Sequence, residues 1–357
     1  MFKAIKKFFQ RKQANSEQSV ANTQALINES PTHSTTEETI KPKKGRTVLV
    51  FDTKTRVFVV KKRVARIALY NPSTQTVLFK NKEGEERALS IPLEKGQSAL
   101  PLSGCWFDKE ACNIGFYLPG LEYFYLVQDK TLKPIRIDAK QFKGVGDYDK
   151  MLPLSGFWFD PEIETIGLYD PSSALFLLKH QDESNKGSVF QYGPFKNHMQ
   201  PLVGDWYGQG IDSVGLYDAD SGVFFLKGTL EGSDKQDINF HFGPPKSEMI
   251  ALSGDWNGTG VDKIGLYSSK DGLFFLMHAN KGAEQADVSC YFGPAGKSQI
   301  PLVGDWAGEG QDGLAIYDPQ VGIAYLKNNC VSGDADMAIQ FSVFEPESIP
   351  LVVYELI

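Results

Sequence analysis

The sequence predicts an all-β fold, a six-bladed β-propeller, and a repeat is the main reason. The stretch Pro201–Trp206 is followed eleven residues after its Trp by Tyr217, and this pattern recurs along the chain. Related stretches lie at Pro101–Trp106, Pro153–Trp158, Ala251–Trp256 and Pro301–Trp306. A period near 50 residues with strand-like content is typical of repeat folds in which each unit buries its face against a neighbour.

All five Trp of the chain stand at the end of this stretch, at spacings of 52, 48, 50 and 50 residues. One large aromatic side chain per unit predicts a structural role, in which each Trp packs between blades. These residues are Trp106, Trp158, Trp206, Trp256 and Trp306.

A complete unit reads as four strands separated by turn residues. In the best copy we expect strands at Pro201–Trp206, Val214–Tyr217, Val223–Lys227 and Ile238–Phe242. The unit closes on Gly243-Pro244, because Gly supplies backbone freedom and Pro removes a donor from the strand ladder.

The two ends of the repeat complement each other. The first hairpin, around Tyr70, lacks a preceding first strand, whereas Pro350–Tyr354 restarts a first strand with no hairpin behind it. Pairing of this C-terminal strand with the N-terminal blade would close a ring of six blades and remove its open edges. Val57–Lys62 also lies at the spacing of a first strand, so seven blades is the alternative.

The N-terminal 46 residues differ from the rest, with nine Lys and Arg against four Glu. Residues 1–12 predict a short basic amphipathic helix, which suits an anionic membrane surface or a groove on a partner protein, or else a frayed solvated tail. Residues 13–46 are polar and predict a disordered tether, followed by the propeller over residues 47–357. The docking residues of the helix are Phe2, Lys3, Ile5, Lys6, Lys7, Phe8, Phe9 and Arg11.

Composition restricts the class of partner and the compartment. Residues 47–357 carry 28 basic and 40 acidic side chains, which argues against nucleic acid as the partner. Neither a long apolar run nor a secretory signal is recognisable, so we expect a cytoplasmic protein, peripheral at the inner membrane if the helix binds lipid. Cys105 and Cys112 flank one turn and are placed to pair, but we expect them to be reduced in that compartment. Cys290 and Cys330 are expected to be buried thiols.

The segment Gly254–Tyr267 resembles the FG-GAP-like and VCBS-type repeats of β-propellers, and the resemblance covers roughly residues 65–357. It implies a calcium loop after the first strand, in which spaced carboxylates supply oxygen ligands. This chain departs from the pattern, since each loop offers two or three ligand side chains where a tight site needs four or more. The candidates are Asp205, Asp212, Asp255, Asn257, Asp262, Asp305, Glu309 and Asp312.

Two interpretations of these loops stay open at the level of sequence. The loops bind calcium weakly, or their Asp residues cap tight turns by accepting backbone N–H bonds. Phe107, Phe159 and Tyr207, each directly after a Trp, mark a contact surface or fill the space left by missing ligands.

Function follows less directly than fold. The five His residues do not recur beside nucleophiles, and neither a phosphate-binding Gly-rich loop nor a nucleophile elbow is present. We therefore expect no catalytic residue and no certain cofactor, and favour a non-enzymatic scaffold that binds a protein partner. An exported adhesin or lectin-like carbohydrate-binding module is the alternative, followed by an enzyme with its site in the central channel.

Overall fold

The computed structural model describes residues 47–52, 57–80, 84–93, 96–108, 111–127, 134–138, 146–180, 187–230, 237–296 and 298–357. Within these ranges the strands form six antiparallel sheets, five of four strands and one of five. Each sheet is one blade of a six-bladed β-propeller, as the repeat predicts. The expected helix at 1–12 and tether at 13–46 lie outside the described residues.

The strands follow chain order, blade by blade. Blade 1 holds β1 (Thr47–Asp52), β2 (Val57–Asn71), β3 (Thr76–Lys80) and β4 (Glu86–Ser90). Blade 2 holds β5 (Leu100–Asp108), β6 (Ala111–Leu118), β7 (Tyr123–Val127) and β8 (Pro134–Asp138). Blade 3 holds β9 (Leu152–Gly156), β10 (Thr165–Asp170), β11 (Leu175–Lys179) and β12 (Gly187–Gln191).

Blades 4 to 6 continue the same meander. Blade 4 holds β13 (Gln200–Gly204), β14 (Ser213–Asp218), β15 (Val223–Leu226) and β16 (Ile238–His241). Blade 5 holds β17 (Ile250–Gly254), β18 (Lys263–Ser268), β19 (Leu273–Leu276) and β20 (Val288–Tyr291). Blade 6 holds β21 (Ile300–Gly304), β22 (Gly313–Asp318), β23 (Ile323–Lys327) and β24 (Met337–Gln340), and β25 (Ile349–Leu356) returns to blade 1. Within the ranges given above, two short 3-10 helices lie at Pro119–Leu121 and Tyr148–Lys150.

The ring closes by pairing of β25 with β2, as the two ends of the repeat predict. The register runs from Arg63 opposite Leu356 to Tyr70 opposite Ile349. Val57–Lys62, the segment that suggested a seventh blade, forms the first part of the long strand β2 and pairs with β1. The seven-bladed alternative is therefore wrong, because the inner strand of the first blade is supplied by β25.

Strand bounds in the best-predicted unit differ from expectation at both ends of the blade. The first strand ends at Gly204 rather than Trp206, because the N–H of Asp205 donates to the Asp262 carboxylate of the next blade instead of to β14. The last strand ends at His241 rather than Phe242.

The core lies between neighbouring blades and includes all five Trp side chains, each less than a tenth exposed. Trp206 of blade 4, for example, packs in one cluster with Ile264 and Leu266 of blade 5. This buried position between blades is the one that the packing role predicted for the Trp residues requires. The indole N–H of Trp206 donates to the Val214 carbonyl, so the one polar atom of this buried side chain has a hydrogen-bond partner.

Cys105 and Cys112 form a disulfide, which corrects the expectation of reduced thiols. They lie on β5 and β6, whose register shifts between Gly104 and Asp108. This β-bulge brings the two Cα atoms to 3.9 Å. Cys290 and Cys330 are buried free thiols, as expected.

Connections alternate between two faces because successive strands of a meander run in opposite directions. We call the turn face the one that carries the turns between second and third strands, such as 218–223, and the connections between blades. The Asp-loop face carries the loops between first and second strands, such as 205–212. In the described part of the chain, no helix has the length and apolar character needed to cross a bilayer.

Candidate functional site

The first-position Asp of each Asp loop caps its own turn. The two carboxylate oxygens of Asp205 accept the N–H groups of Gln209 at 2.9 Å and Gly210 at 2.6 Å. Asp255 accepts from Thr259 and Gly260, and Asp305 accepts from Glu309 and Gly310, at 2.6–2.9 Å in the same geometry. These three Asp side chains are buried, so the bonds replace hydration that burial removes. This is the turn-capping interpretation of the sequence.

The eighth-position Asp points to the preceding blade and not into its own loop. Asp262 Oδ2 accepts the N–H of Asp205 at 2.8 Å, and the Asp262 N–H donates to the Asp205 carbonyl at 2.9 Å. We call this reciprocal pair an inter-blade clasp. Further clasps join Asp212 to Phe157, Asp312 to Asp255, and Glu164 to Cys105. One backbone bond, from Ala65 to Asp305 at 2.9 Å, joins blade 6 to blade 1.

These contacts bear on the calcium loops that the resemblance implies. A calcium site needs six to eight oxygens converging on one point. The sequence groups Asp262 with Asp255 and Asn257 as candidate ligands of one loop, but Asp262 bonds to blade 4. It groups Asp312 with Asp305 and Glu309, but Asp312 bonds to blade 5. Asp212 likewise bonds to Phe157 of blade 3. The eighth-position carboxylates are therefore engaged in clasps and do not join the other candidate ligands of their own loops. Metal binding by these loops stays a prediction.

A central cavity of about 230 Å³ lies along the propeller axis among these clasps. Its wall includes Asp205 and the clasp carboxylates of four successive blades. The clasp carboxylates belong to Glu164, Asp212, Asp262 and Asp312. The same side chains hold neighbouring blades together, so the acidic lining has a structural use.

Arg63 from blade 1 adds a positive charge to this acidic cavity. Its side chain is 2% exposed, and Nη2 donates to the Glu162 carbonyl of blade 3 at 3.2 Å. Its guanidinium lies 5.7 Å from the centroid of the Phe157 ring, within the range of a cation–π contact. Arg63 therefore links the closing blade to a blade that is two positions away.

The turn face carries exposed apolar side chains, of which Phe195 is the largest. Phe195 follows β12 and is 65% exposed. Beside it, Lys196 Nζ lies 2.6 Å from Asp218, and His198 Nε2 lies 2.9 Å from Asp218 and 3.2 Å from Asp220. Other exposed apolar side chains on this face are Leu121, Val321 and Val343.

Asp218 is the buried centre of this polar group. Burial acts to raise the pKa of its carboxyl, but hydrogen bonds from Lys196, Ser221 and His198 outweigh that effect and hold the pKa well below its usual range. The carboxylate therefore stays charged and fixes the loop that presents Phe195.

The aromatic residues that directly follow a Trp were expected either to fill space or to form a contact surface, and they differ in this respect. Phe107 packs on the cluster around Trp106, and Phe159 packs on the cluster around Trp158 and stacks on His180 at 3.9 Å. Both fill space. Tyr207 is 40% exposed on the Asp-loop face and is the member of the set that can offer a contact.

Several residues of this site were missed by sequence reasoning. Lys263 could have been found from the sequence. It stands at the ninth position of the blade 5 Asp loop, which carries oxygen-bearing side chains at positions one, three and five, and a lysine there can bond to them. Arg63 and Glu164 had none, because their partners come from other blades. The predicted docking residues Phe2 to Arg11 lie outside the described residues.

Comparisons with known proteins give similarity of shape only. No protein-family model and no curated protein matches the chain. An Agrocybe aegerita lectin that recognises non-reducing terminal N-acetylglucosamine is 12% identical with a TM-score of 0.49, covering 79% of this chain and 77% of the lectin. Virginiamycin B lyase from Staphylococcus aureus is 8% identical with a TM-score of 0.45, covering 89% and 97%. BBS1N, in complex with ARL6DN, is 10% identical with a TM-score of 0.42, covering 89% and 94%. These values are too low to transfer a ligand or an activity.

Proposed function

We propose that this propeller is a non-enzymatic scaffold that binds a protein partner through its turn face. The observation that carries the proposal is Phe195, a phenyl ring that is 65% exposed on a connection between blades. Exposing an aromatic ring to water is unfavourable, and aromatic anchors supply much of the binding energy of protein interfaces.

The surroundings of Phe195 support the same proposal. Lys196 and His198 are held on Asp218, so the loop that presents the ring is fixed before a partner arrives. A rigid apolar anchor inside a charged rim is the usual composition of a protein interface. Preorganisation of this kind lowers the entropic cost of binding.

A second part of the proposal concerns location. Residues 2–12 hold the scaffold at an anionic membrane surface or on a larger assembly, and residues 13–46 tether it with a reach of roughly 30–35 Å. Support comes from the sequence, where a helical arrangement would put Phe2, Phe8 and Phe9 on one side and most of the Lys and Arg on the other. The FG-GAP-like ancestry of the repeat belongs to the same proposal, supported by the Gly-Asp-Trp segments of blades 4 to 6.

Liposome flotation tests the location. The full chain and a variant that lacks residues 1–12 are floated with vesicles of phosphatidylcholine and phosphatidylserine, in low and in high salt. We expect only the full chain to float, and the truncated variant to stay at the bottom of the gradient. Flotation should weaken in high salt, because each Lys or Arg adds about 1 kcal/mol of electrostatic attraction near such a surface. Equal flotation of both proteins would contradict membrane anchoring by this segment.

Site-specific photo-crosslinking in cells tests the interface. A photo-reactive residue replaces Phe195, and in a control it replaces Tyr291, which is equally exposed on the outer strand β20. We expect one discrete crosslinked species from position 195 and not from position 291. The same diffuse pattern from both positions would contradict a docking surface on the turn face.

One observation favours the second candidate, an exported carbohydrate-binding module. The disulfide between Cys105 and Cys112 suits an oxidising compartment. This candidate predicts that the protein accumulates outside the cell with that bond intact, and that it is retained by immobilised glycans. A reduced Cys105 in protein isolated from the cell interior would exclude it.

A further inference from the structure

Lys263, the first residue of β18, folds its side chain back into the Asp loop of its own blade. The side chain is 4% exposed, and its ammonium group is surrounded by oxygen atoms. Nζ lies 2.7 Å from Asn257 Oδ1, 2.7 Å from the Val261 carbonyl and 3.2 Å from Asp255 Oδ1, and it also donates to Thr259 Oγ1. An ammonium group has donors only, so all these contacts are favourable.

The four oxygens come from the first, third, fifth and seventh positions of the loop. In loops of the EF-hand kind, calcium takes ligands from these same positions, and the seventh contributes its backbone carbonyl. Here the seventh position, Val261, also contributes its carbonyl. The ammonium of Lys263 therefore occupies the position of a metal ion in a loop that retains the oxygen arrangement of a metal site.

We propose that Lys263 is the permanent cation of the blade 5 loop, so that this blade is held without metal, and that replacing its ammonium by an oxygen ligand turns the loop into a divalent cation site. The inference is independent of the binding function proposed above. The position of the Lys263 ammonium also explains why this loop has no room for calcium. Calcium lies 2.3–2.6 Å from its oxygen ligands, and the ammonium already fills that space.

The neighbouring loops support the assignment. In blade 4 the third and ninth positions are Tyr207 and Ser213, and in blade 6 they are Ala307 and Gly313. Asn257 and Lys263 thus occur together in one loop of these three. This joint occurrence is expected if the Asn257 oxygen accepts a hydrogen bond from the Lys263 ammonium.

Electrostatics explain why blade 5 gains from a fixed cation. The Asp255 carboxylate is fully buried, and a buried charge is costly unless it is paired and hydrogen-bonded. Lys263 supplies the opposite charge at 3.2 Å. Removing that charge while leaving Asp255 in place should therefore destabilise the blade, unless another cation takes its place.

Thermal unfolding in EDTA and in millimolar calcium tests the proposal on the full chain. The melting temperature of the unmodified protein should be the same in both buffers. Lys263→Asp should melt lower in EDTA, and calcium at about 100 times its Kd should raise its melting temperature by roughly 4 °C. Ser213→Asp is the matched control and should gain no calcium response, because Tyr207 replaces the oxygen ligand of the third position.

Lys263→Gln provides a milder variant that keeps an oxygen at the ninth position. Terbium, a calcium substitute excited by the adjacent Trp256, should give sensitised emission in Lys263→Gln above that of the unmodified protein. Adding Asn257→Ala should abolish this gain. The proposal is overturned if calcium stabilises the unmodified protein through this loop, or if folded Lys263→Asp and Lys263→Gln both fail to gain cation binding.

Discussion

The indole ring of Trp256 lies in the space that a side chain on Gly254 would need. A Cβ atom on Gly254 would come within 2.7 Å of Cζ3 and 2.8 Å of Cη2 of that ring. Gly204 and Trp206 repeat the same distances one blade earlier. The Gly that precedes each of these Trp residues by two positions is therefore a packing requirement of the blade.

Gly254→Ala should destabilise the protein by about 1–3 kcal/mol, the usual cost of overpacking a core. The added methyl would also meet Val303 of blade 6 at 2.9 Å, so neither side can yield easily. Urea unfolding measures the change. Gly120→Ala is the control, since its methyl would meet nothing within 4 Å, and we expect a change below about 0.5 kcal/mol. Equal effects of the two substitutions would contradict the packing requirement.

Asp262→Ala should lower the free energy of unfolding by about 1–3 kcal/mol, because it leaves the Asp205 N–H without its carboxylate acceptor. The loss concerns a contact between blades, so hydrogen exchange should accelerate at Asp205 more than within β18. Asp220→Ala is the control, because that carboxylate is mostly exposed. If calcium rather than the clasp were the role of Asp262, the loss would appear only in the presence of the metal.

The protein should unfold in alkali as its buried tyrosines ionise. Burial raises the pKa of Tyr169, Tyr267 and Tyr317 to about 12, whereas tyrosine in an unfolded chain titrates near 10. The stability these groups contribute is fully present below pH 10 and is lost as the pH rises from about 10 to 12. Phenolate absorbance and circular dichroism should change together in this window. The prediction would be wrong if all tyrosines ionised near pH 10 while the protein stayed folded.

The two free cysteines should resist thiol reagents in the folded protein. Burial raises the pKa of Cys290 to about 11 and that of Cys330 to about 12, so little thiolate forms at pH 8. Without reductant we expect no modification of the native protein and two modified thiols after unfolding. Four modified thiols after unfolding would show that Cys105 and Cys112 are not joined.

Sequence patterns were sufficient for the blades and insufficient for the contacts between them. The period of the Trp residues and the unpaired first strand at 350–354 predict six blades and their closure. The sequence places Cys105 and Cys112 on either side of one turn, so their proximity was predictable. The expected compartment wrongly favoured reduced thiols over the disulfide that the structure shows. Val57–Lys62 misled because a continuous long strand and two separate strands share the same alternation of side chains.

The Asp loops show the same limit at the level of single residues. Spacing places Asp255 and Asp262 in one loop, where a shared metal and turn capping were both open interpretations. The partner of Asp262 is Asp205, 57 positions away in the preceding blade, and only packing of the blades reveals it. Lys263 was overlooked because a lysine in a loop is usually solvated, whereas here four oxygens hold its ammonium inside.

Closure by β25 has a consequence for how the protein is made. Arg66 and Glu355, 289 residues apart, form an ion pair at 3.1 Å across the seam. At ordinary rates of translation, ~15–60 s pass between the synthesis of these two residues. Blades 2 to 6 can form in sequence during that time while one edge of β2 waits unpaired. The nascent chain therefore keeps one strand edge open to wrong pairing until β25 is synthesised.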